Sequence, residues 1–433
     1  MPDESTLASK TLQALCCIAG GGPAGMVLGL LLARAGVDVI VLEKHADFLR
    51  DFRGDTIHPS TLEVLHELGM LEEFLQHPHQ EAREIRAVVG DAEVTVADFS
   101  HLPTRCRFIA FMPQWDFLDF IAEHARRYPS FHLMMSTEVT DLIEEEGRIV
   151  GVRAMTADGP IAVRAGLTVG ADGRHSTVRD RGGLEVEDLG APIDVLWMRL
   201  CRHPGDPEQP LGRFDLGRVL VLIYRGDYWQ CAFVIPKGGY DEIRRRGLEA
   251  LREEIAVLVP FLADRVGELR DWDEIKLLTV SVDRLRRWYR PGLLCIGDAA
   301  HAMSPIGGVG INLAIQDAVA AANLLTRPMR EGRVTVDDLR KVERRRLLPT
   351  RITQGIQVLV QDRIVGRVLG SRGKLSLPRA LRLLRRWPFL RRIPARLIGV
   401  GIRPEHVKSP ADGSSARDRG RDPSAGGRSI PGP

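Results

Sequence analysis

The segment Gly20-Gly21-Gly22-Pro23-Ala24-Gly25 constrains this chain more than any other. It sits between an apolar run, Leu15-Cys16-Cys17-Ile18-Ala19, and an apolar stretch of helical length reaching about Arg34. A short run without polar interruption reads as a strand buried on both faces. Gly20 then permits a tight turn, Gly22 lets a pyrophosphate approach the backbone, and Gly25 lets the following helix sit close to the sheet. Pro23 and Ala24 open that helix, whose first N–H groups and dipole favour an anion without any side-chain cation. Val37 to Leu42 supplies the next strand, ending at Glu43 with Lys44 beside it. A carboxylate at that distance from the glycines can accept hydrogen bonds from both hydroxyls of an adenosine ribose. The unit by itself does not distinguish FAD from NAD.

A chain of 433 residues with 44% hydrophobic content can build a sizeable core, in two or three domains or one composite unit. The formal charge is only +3, yet Arg greatly outnumbers Lys and crowds the region after Arg327. That asymmetry reads as a salt-bridged or solvated face in preference to a site for an acidic partner or a membrane. Six Cys without a C-x-x-C pair point away from a metal site and toward a reduced, cytoplasmic setting. The N-terminal MPDESTLASK lacks the pattern of a secretory signal, and Gly20-Gly21-Gly22-Pro23 interrupts the apolar run from Leu12 to Leu32, so no integral membrane span is expected. No nucleic-acid motif or internal repeat is present.

Along the chain, Ser60-x-x-Glu63 reads as a capping box before Leu62, Leu65 and Leu68, with Gly69 as the stop. That helix follows a loop carrying Arg53, Gly54, Asp55 and His58. Residues 83–111 read as short strands and turns, 115–127 as an amphipathic helix, and 131–135, 148–155 and 161–169 as strands. Candidates at 194–200, 218–224 and 229–235 suggest a separate, mostly antiparallel sheet covered by a helix near 240–258. Leu293 to Ile296 returns to the buried-strand pattern. The expected fold class is α/β: a Rossmann-like unit built from 12–82, 112–180 and 285–330, interleaved with an antiparallel-sheet substrate domain, 181–284, reached also by the 83–111 excursion. C-terminal helices over 331–407 and a disordered, Gly-, Ser- and Arg-rich tail over 408–433 complete it.

Two further motifs narrow the reading. Asp172-Gly173-Arg174-His175-Ser176-Thr177-Val178-Arg179 and Gly297-Asp298-Ala299-Ala300-His301, the latter followed by Pro305, Gly308, Gly310, Ile311 and Asn312, resemble the Asp-Gly and Gly-Asp motifs of group A flavin monooxygenases. This is the family typified by para-hydroxybenzoate hydroxylase, with ubiquinone-biosynthesis hydroxylases among its relatives. The resemblance extends to about residue 405. It implies that Asp298 binds the ribityl or pyrophosphate region of FAD, that Asp172 helps hold the motif joining flavin and nicotinamide handling, that Arg53 clamps FAD, and that Gln114 lies near the ribityl chain. Local helix capping for either Asp, and surface placement for Arg53 or Gln114, are the plainer alternatives. The low bulk of Pro305–Gly310 suits close passage beside an isoalloxazine ring, with helix N–H groups aimed at its N1/C2 carbonyl edge, where reduction places negative charge.

The resemblance further implies that NADH or NADPH, bound transiently, reduces FAD, and that molecular oxygen then forms a C4a-hydroperoxyflavin that hydroxylates an aromatic or related organic small molecule. A flavin reductase or dehydrogenase without oxygen insertion, or a noncatalytic FAD-binding protein, stays open beside this. No catalytic acid or base is assigned: His58, His175, His301 and Tyr224 qualify only by residue type. Arg174 and Arg179 are candidate nicotinamide-cofactor contacts, and Trp229 and Phe233 are either core or pocket. The segment with Arg382, Arg385, Arg386, Arg391, Arg392 and Arg396 among Leu381, Leu383, Leu384, Trp387, Phe389 and Leu390 suggests peripheral membrane contact, but Pro388 and Pro394 break a long helix and favour internal packing. A monomer or homodimer is expected.

Overall fold

A computed structural model of the chain describes residues 10–49, 56–207, 210–215, 217–370 and 375–411, apart from the side chains of Ile364 and Arg367. The core sheet is ordered Tyr289–Arg290, Leu293–Cys295, Gly159–Gly170, Lys10–Ala19, Val39–Leu42, Phe131–Met134. All neighbours are parallel except the first pair. Cys16, Cys17, Ile18 and Ala19 are fully buried, as a strand covered on both faces by helices requires. Pro23–Arg34 and Gly310–Arg330 pack together, and Gln114–Ala125 packs against the former. The region 306–330 is long and apolar enough to cross a bilayer, yet 61% of its apolar eighteen-residue stretch is buried, as in a core helix.

A second sheet of seven strands runs Lys276–Leu278, Ile193–Cys201, Tyr228–Pro236, Arg218–Tyr224, Leu211–Asp215, Glu84–Val89, Ala92–Asp98. Its pairs are antiparallel except Leu211–Asp215 with Glu84–Val89. One face packs under Tyr240–Arg246 and Leu248–Leu258, two helices separated at Gly247, whose φ of +90° ends the first. The other face turns toward Ile306 and the segment Val365–Leu369. The fold is therefore α/β, with a Rossmann-like parallel core, an interleaved substrate-domain sheet and C-terminal helices.

Two local expectations need correction. The helix of the proposed capping box starts earlier, at Pro59, with His58 at the N-cap and no side-chain cap. Proline has no N–H to lose at the first helical position, so it sets the start there, and Ser60 falls inside the first turn. Glu63 instead accepts from the Arg105 N–H. An additional strand, Glu138–Glu145, pairs with Arg148–Thr156 at the edge of the core sheet.

Candidate active site

The strand Lys10–Ala19 ends at Gly20, held at φ +105° while its N–H donates to Leu42 O. A Cβ on Gly20 would lie 2.3 Å from Ala171 O, and one on Gly25 would lie 2.0 Å from Gly20 O, so both are required by packing. A Cβ on Gly22 would meet nothing within 4 Å. The middle glycine thus borders open space, at the N-terminus of a helix with no side-chain cap and no acid in its first turn. Those N–H groups and the positive end of the helix dipole suit a diphosphate.

Glu43 closes one side of this space. It is buried, accepting from Gly21 N–H at 2.9 Å and from His45 N–H at 3.1 Å, whereas Lys44 is exposed. Each carboxylate oxygen can accept more than one donor, so the group held there also suits ribose hydroxyls.

The other side is built from residues far along the chain. Gly297, at φ +59°, is wedged where a Cβ would sit 3.1 Å from both Ala24 Cβ and Ala314 Cβ. This brings Asp298 to the start of the Pro23–Arg34 helix. The Asp298 carboxylate is partly exposed, with Arg174 Nη2 3.8 Å away. Behind it, Asp317 accepts from Gly297 N–H at 3.1 Å, meets His301 Nε2 at 2.5 Å and pairs with Arg346 Nε at 2.9 Å. Arg346 also reaches Glu405, and Trp288 lies against the His301 ring. Burial pushes the Asp317 carboxyl up, but His301 and Arg346 outweigh it and hold it below the ordinary range.

Pro305 leads into a tight turn in which Gly307 and Gly308 take φ of +80° and +63°, and Gly310 starts the helix through Ile311 and Asn312. That helix too has no side-chain cap and no acid in its first turn. The Asn312 amide is turned inward. Its Oδ1 accepts from His58 N–H and Thr61 Oγ1, and its Nδ2 donates to Thr56 O, while Thr56 Oγ1 donates to Gly308 O. Asn312 thereby latches residues 56–61 onto the glycine turn.

Asp172 holds its own loop: Ser176 Oγ and Val178 N–H both donate to its carboxylate, and Ser176 in turn caps Arg179 N–H. Burial raises its pKa despite these bonds. The capping alternative therefore describes its side-chain bonds. Gln114 opens the helix Gln114–Ala125, half-buried beside the core, and Arg53 lies outside the described residues. Arg179 is buried, donating to Arg174 O.

Of the titratable candidates, His175 is exposed and His301 belongs to the Asp317 cluster. His58 is fully buried, with Nδ1–H donating to Ile398 O at 2.7 Å, and burial lowers its pKa to about 4. Tyr224 packs edge-on to Trp229, with Arg202 over its ring. Trp229 and Phe233 belong to the core beneath the two helices at 240–258. Side chains alternate along a strand, so the face turned to the glycine turn carries the other phase: Trp197, Val221, Ala232 and Val234, in one cluster with Ile306. Sequence reading missed this face, although period-2 alternation from Trp229 and Phe233 marks it. It also missed Asp317 and Arg346, whose partners are distant in sequence.

A family model described as an FAD binding domain matches residues 13–354. The chain is 34% identical over 400 residues to 6-methylpretetramide 4-monooxygenase of Streptomyces rimosus, covering 91% of this chain and 94% of that protein. It is 28% identical to the 12-dehydrotetracycline 5-monooxygenase/anhydrotetracycline 6-monooxygenase of Streptomyces rimosus subsp. rimosus over 70% of this chain and only 60% of that relative's length. Among solved structures, a mutant of P. aeruginosa PqsL matches with a TM-score of 0.72 at 23% identity, covering 83% of this chain and 99% of the other. OxyS anhydrotetracycline hydroxylase from Streptomyces rimosus matches at 0.70 and 24%, covering 90% and 76%. The structural likenesses carry the fold. With a diphosphate-ready helix, a fixed carboxylate and the Gly297–Asp298 turn meeting at one place, and a family model spanning them all, the chain belongs to the group A FAD-dependent monooxygenases, enzymes that take electrons from NAD(P)H and oxygenate an organic substrate with O2.

Proposed function

We propose that this enzyme hydroxylates a fused-ring, phenolic polyketide. The reading rests on its 34% identity, across nearly the full length of both chains, to a protein named for acting on 6-methylpretetramide. The apolar sheet face carrying Trp197, Val221 and Ala232 opposite Ile306 suits a flat, mostly carbon ring system. The observation that carries the site assignment is the wedging of Gly297 between Ala24 and Ala314, which joins segments nearly three hundred residues apart in sequence at one point.

Gly20, Gly22, Pro23, Ala24 and Gly25 are assigned to the FAD pyrophosphate, Glu43 to the ribose with Lys44 at its rim, and Gln114 and Asp298 to the ribityl chain. Asp172 supports the loop behind them. Pro305, Gly308, Gly310, Ile311 and Asn312 are assigned to the ring, and Arg53 to a clamp on the cofactor. When bound, FAD would supply electron transfer from the nicotinamide and oxygen transfer to the substrate. The chain's part is to hold and screen. N–H groups at the start of Gly310–Arg330 offer a fixed positive dipole to negative charge, with no titratable side chain needed. Ile306 and the apolar sheet face keep water from the reacting atoms. The domains follow the three returns of the chain to the core sheet: 12–82, 112–180 and 285–330 for FAD, 83–111 and 181–284 for substrate, and 331–407 as a helical support. We assign the enzyme to the cytoplasm as a monomer or homodimer, with peripheral membrane contact through its C-terminal helices.

Turnover with NADPH or NADH under labelled oxygen, across a panel of fused-ring phenols, tests the function. One labelled atom in the product is expected. Nicotinamide oxidation stimulated by substrate without label in any product would overturn oxygen insertion in favour of a reductase.

A further inference from the structure

The C-terminal helices Arg379–Arg386 and Arg392–Gly399 are apolar on two sides, and only one side is used by the fold. Leu381 and Leu384 pack on Ala87, Val89 and Val94 of the substrate sheet. Ala395 and Ile398 pack with Phe99 and Leu102, and a Cβ on Gly399 would sit 2.8 Å from Leu102 Cδ1. Ile398 O also receives the His58 Nδ1–H. The pair is therefore fixed, with Pro394 accommodated in the first turn of its helix, where an N–H is not needed.

The opposite side is the unexplained one. Leu383, Trp387, Phe389, Ile393 and Leu397 are all exposed, Phe389 and Ile393 at 60%. Trp387 and Phe389 stack on each other at the corner between the helices. Single exposed apolar residues need no explanation, but five within fifteen positions, with two large aromatics at the apex, form a patch. Arg382, Arg385, Arg386, Arg392 and Arg396, on or beside the same two helices, are all exposed. No Asp or Glu lies between Asp362 and Glu405, while eleven Arg and one Lys do. Elsewhere on this protein exposed arginines meet carboxylates, as Arg164 meets Glu145 and Arg327 meets Glu331. Asp98, on the neighbouring strand, faces Arg391. Arg391 is spent inward, on Leu384 O.

We propose that this face docks on an anionic lipid bilayer, with Trp387, Phe389 and Ile393 inserted at the headgroup boundary and the arginines on lipid phosphates. The proposal deepens the peripheral contact named above. Apolar side chains fringed by arginine, with an aromatic pair at the apex, match an interfacial helix: aromatics sit at the wet boundary, and arginine stems lie along apolar surface while their heads stay polar. A second copy of the chain fits worse, because a two-fold contact here would set arginines against arginines.

Co-flotation of the full-length, FAD-loaded protein with phosphatidylcholine vesicles, with and without phosphatidylglycerol, tests it. Binding is expected only with phosphatidylglycerol, and it should fall as salt rises. Phe389→Ser with Ile393→Ser should weaken it about tenfold or more, as should Arg382→Gln, Arg385→Gln and Arg392→Gln together, by about tenfold or more. Brominated lipid should quench tryptophan emission, and that quenching should disappear in Trp387→Phe. Melting temperature and flavin absorbance report folding of each variant, and the charge variant keeps the test intact if the apolar one fails to fold. No flotation, equal flotation with neutral vesicles, or flotation unchanged in both variants overturns the proposal. So does light scattering that shows a dimer broken by Phe389→Ser, which would assign the face to a second copy. NAD(P)H oxidation by the same samples is read separately, so a failure here is distinguishable from failure of the oxygenase reading.

Discussion

Gly22 and Gly25 stand three residues apart in one turn, and a methyl group separates their roles. Gly22→Ala places a Cβ in open space, so the apoprotein should fold with stability within about 0.5 kcal/mol of the parent. FAD affinity, measured by flavin fluorescence quenching, should nevertheless fall, because that space is where a pyrophosphate must approach. Gly25→Ala forces a Cβ to 2.0 Å from Gly20 O, so it should lower apoprotein stability itself, read by urea unfolding. If Gly22→Ala binds FAD as the parent does, the turn does not hold the cofactor. His58 makes the stability of the fold depend on pH. Its folded pKa is lowered to about 4 from 6.5, so the unfolded chain binds the extra proton between those values. Stability from its neutral, buried state is present above 6.5 and drains away as pH falls toward 4. From pH 7 to pH 5 the parent should lose about 2 kcal/mol that His58→Asn does not lose. Equal pH slopes in urea titrations of the two would show that His58 can take up its proton without leaving the fold.

At the scale of elements, the buried cluster of Asp317 and Arg346 fastens Gly310–Arg330 to Val336–Val360 and, through Gly297 N–H, to the end of the core strand. Asp317→Asn leaves the buried Arg346 with a longer contact to Glu405, a carboxylate that Arg345 shares, so it should cost about 3–5 kcal/mol in urea unfolding. Asp317→Leu combined with Arg346→Met should cost less than that single change. A double variant that is the weaker of the two would mean the pair contributes more than charge balance. Why the sequence showed some elements and hid others is visible in the same terms. The β-α-β start was legible because its strand residues are apolar on both faces and its glycines have steric reasons. Strands 218–224 and 229–235 were legible because they are short, apolar and bounded by turn residues. Glu138–Glu145 was not, since an edge strand with both faces largely exposed keeps no apolar alternation. The box at Ser60 misled because Pro59 outranks it as a helix start. Trp229 and Phe233 drew attention as aromatics, but which face of a strand meets the site depends on which sheet covers it, and that is tertiary. The Asp317 cluster joins His301, Arg346 and Glu405, spacings that follow no local period, so nothing short of the fold brings them together.

For the whole molecule the decisive fact is interleaving. The core sheet takes strands from 10–42, 131–170 and 289–295, and the substrate sheet takes strands from 84–98 and 193–278. Neither sheet is contiguous in sequence, and Glu405 and Ser409 return to Arg345 and Asn323 at the far side of the core. A chain threaded this way cannot unfold one sheet while leaving the other with closed connections. Thermal unfolding of the apoprotein should therefore be a single transition. Free FAD at a hundred times its dissociation constant adds about 2.7 kcal/mol to the folded state alone. With about 2.1 cal/mol/K of unfolding entropy per residue over 433 residues, about 0.9 kcal/mol/K in total, that addition should raise the midpoint by about 3 °C. If only the FAD-binding strands and helices melted together, the same free energy would act on roughly half the entropy and shift the midpoint about twice as far. Calorimetry separates the two cases. Two transitions, of which FAD moves just one, would show that the sheets are thermodynamically independent despite their shared threading.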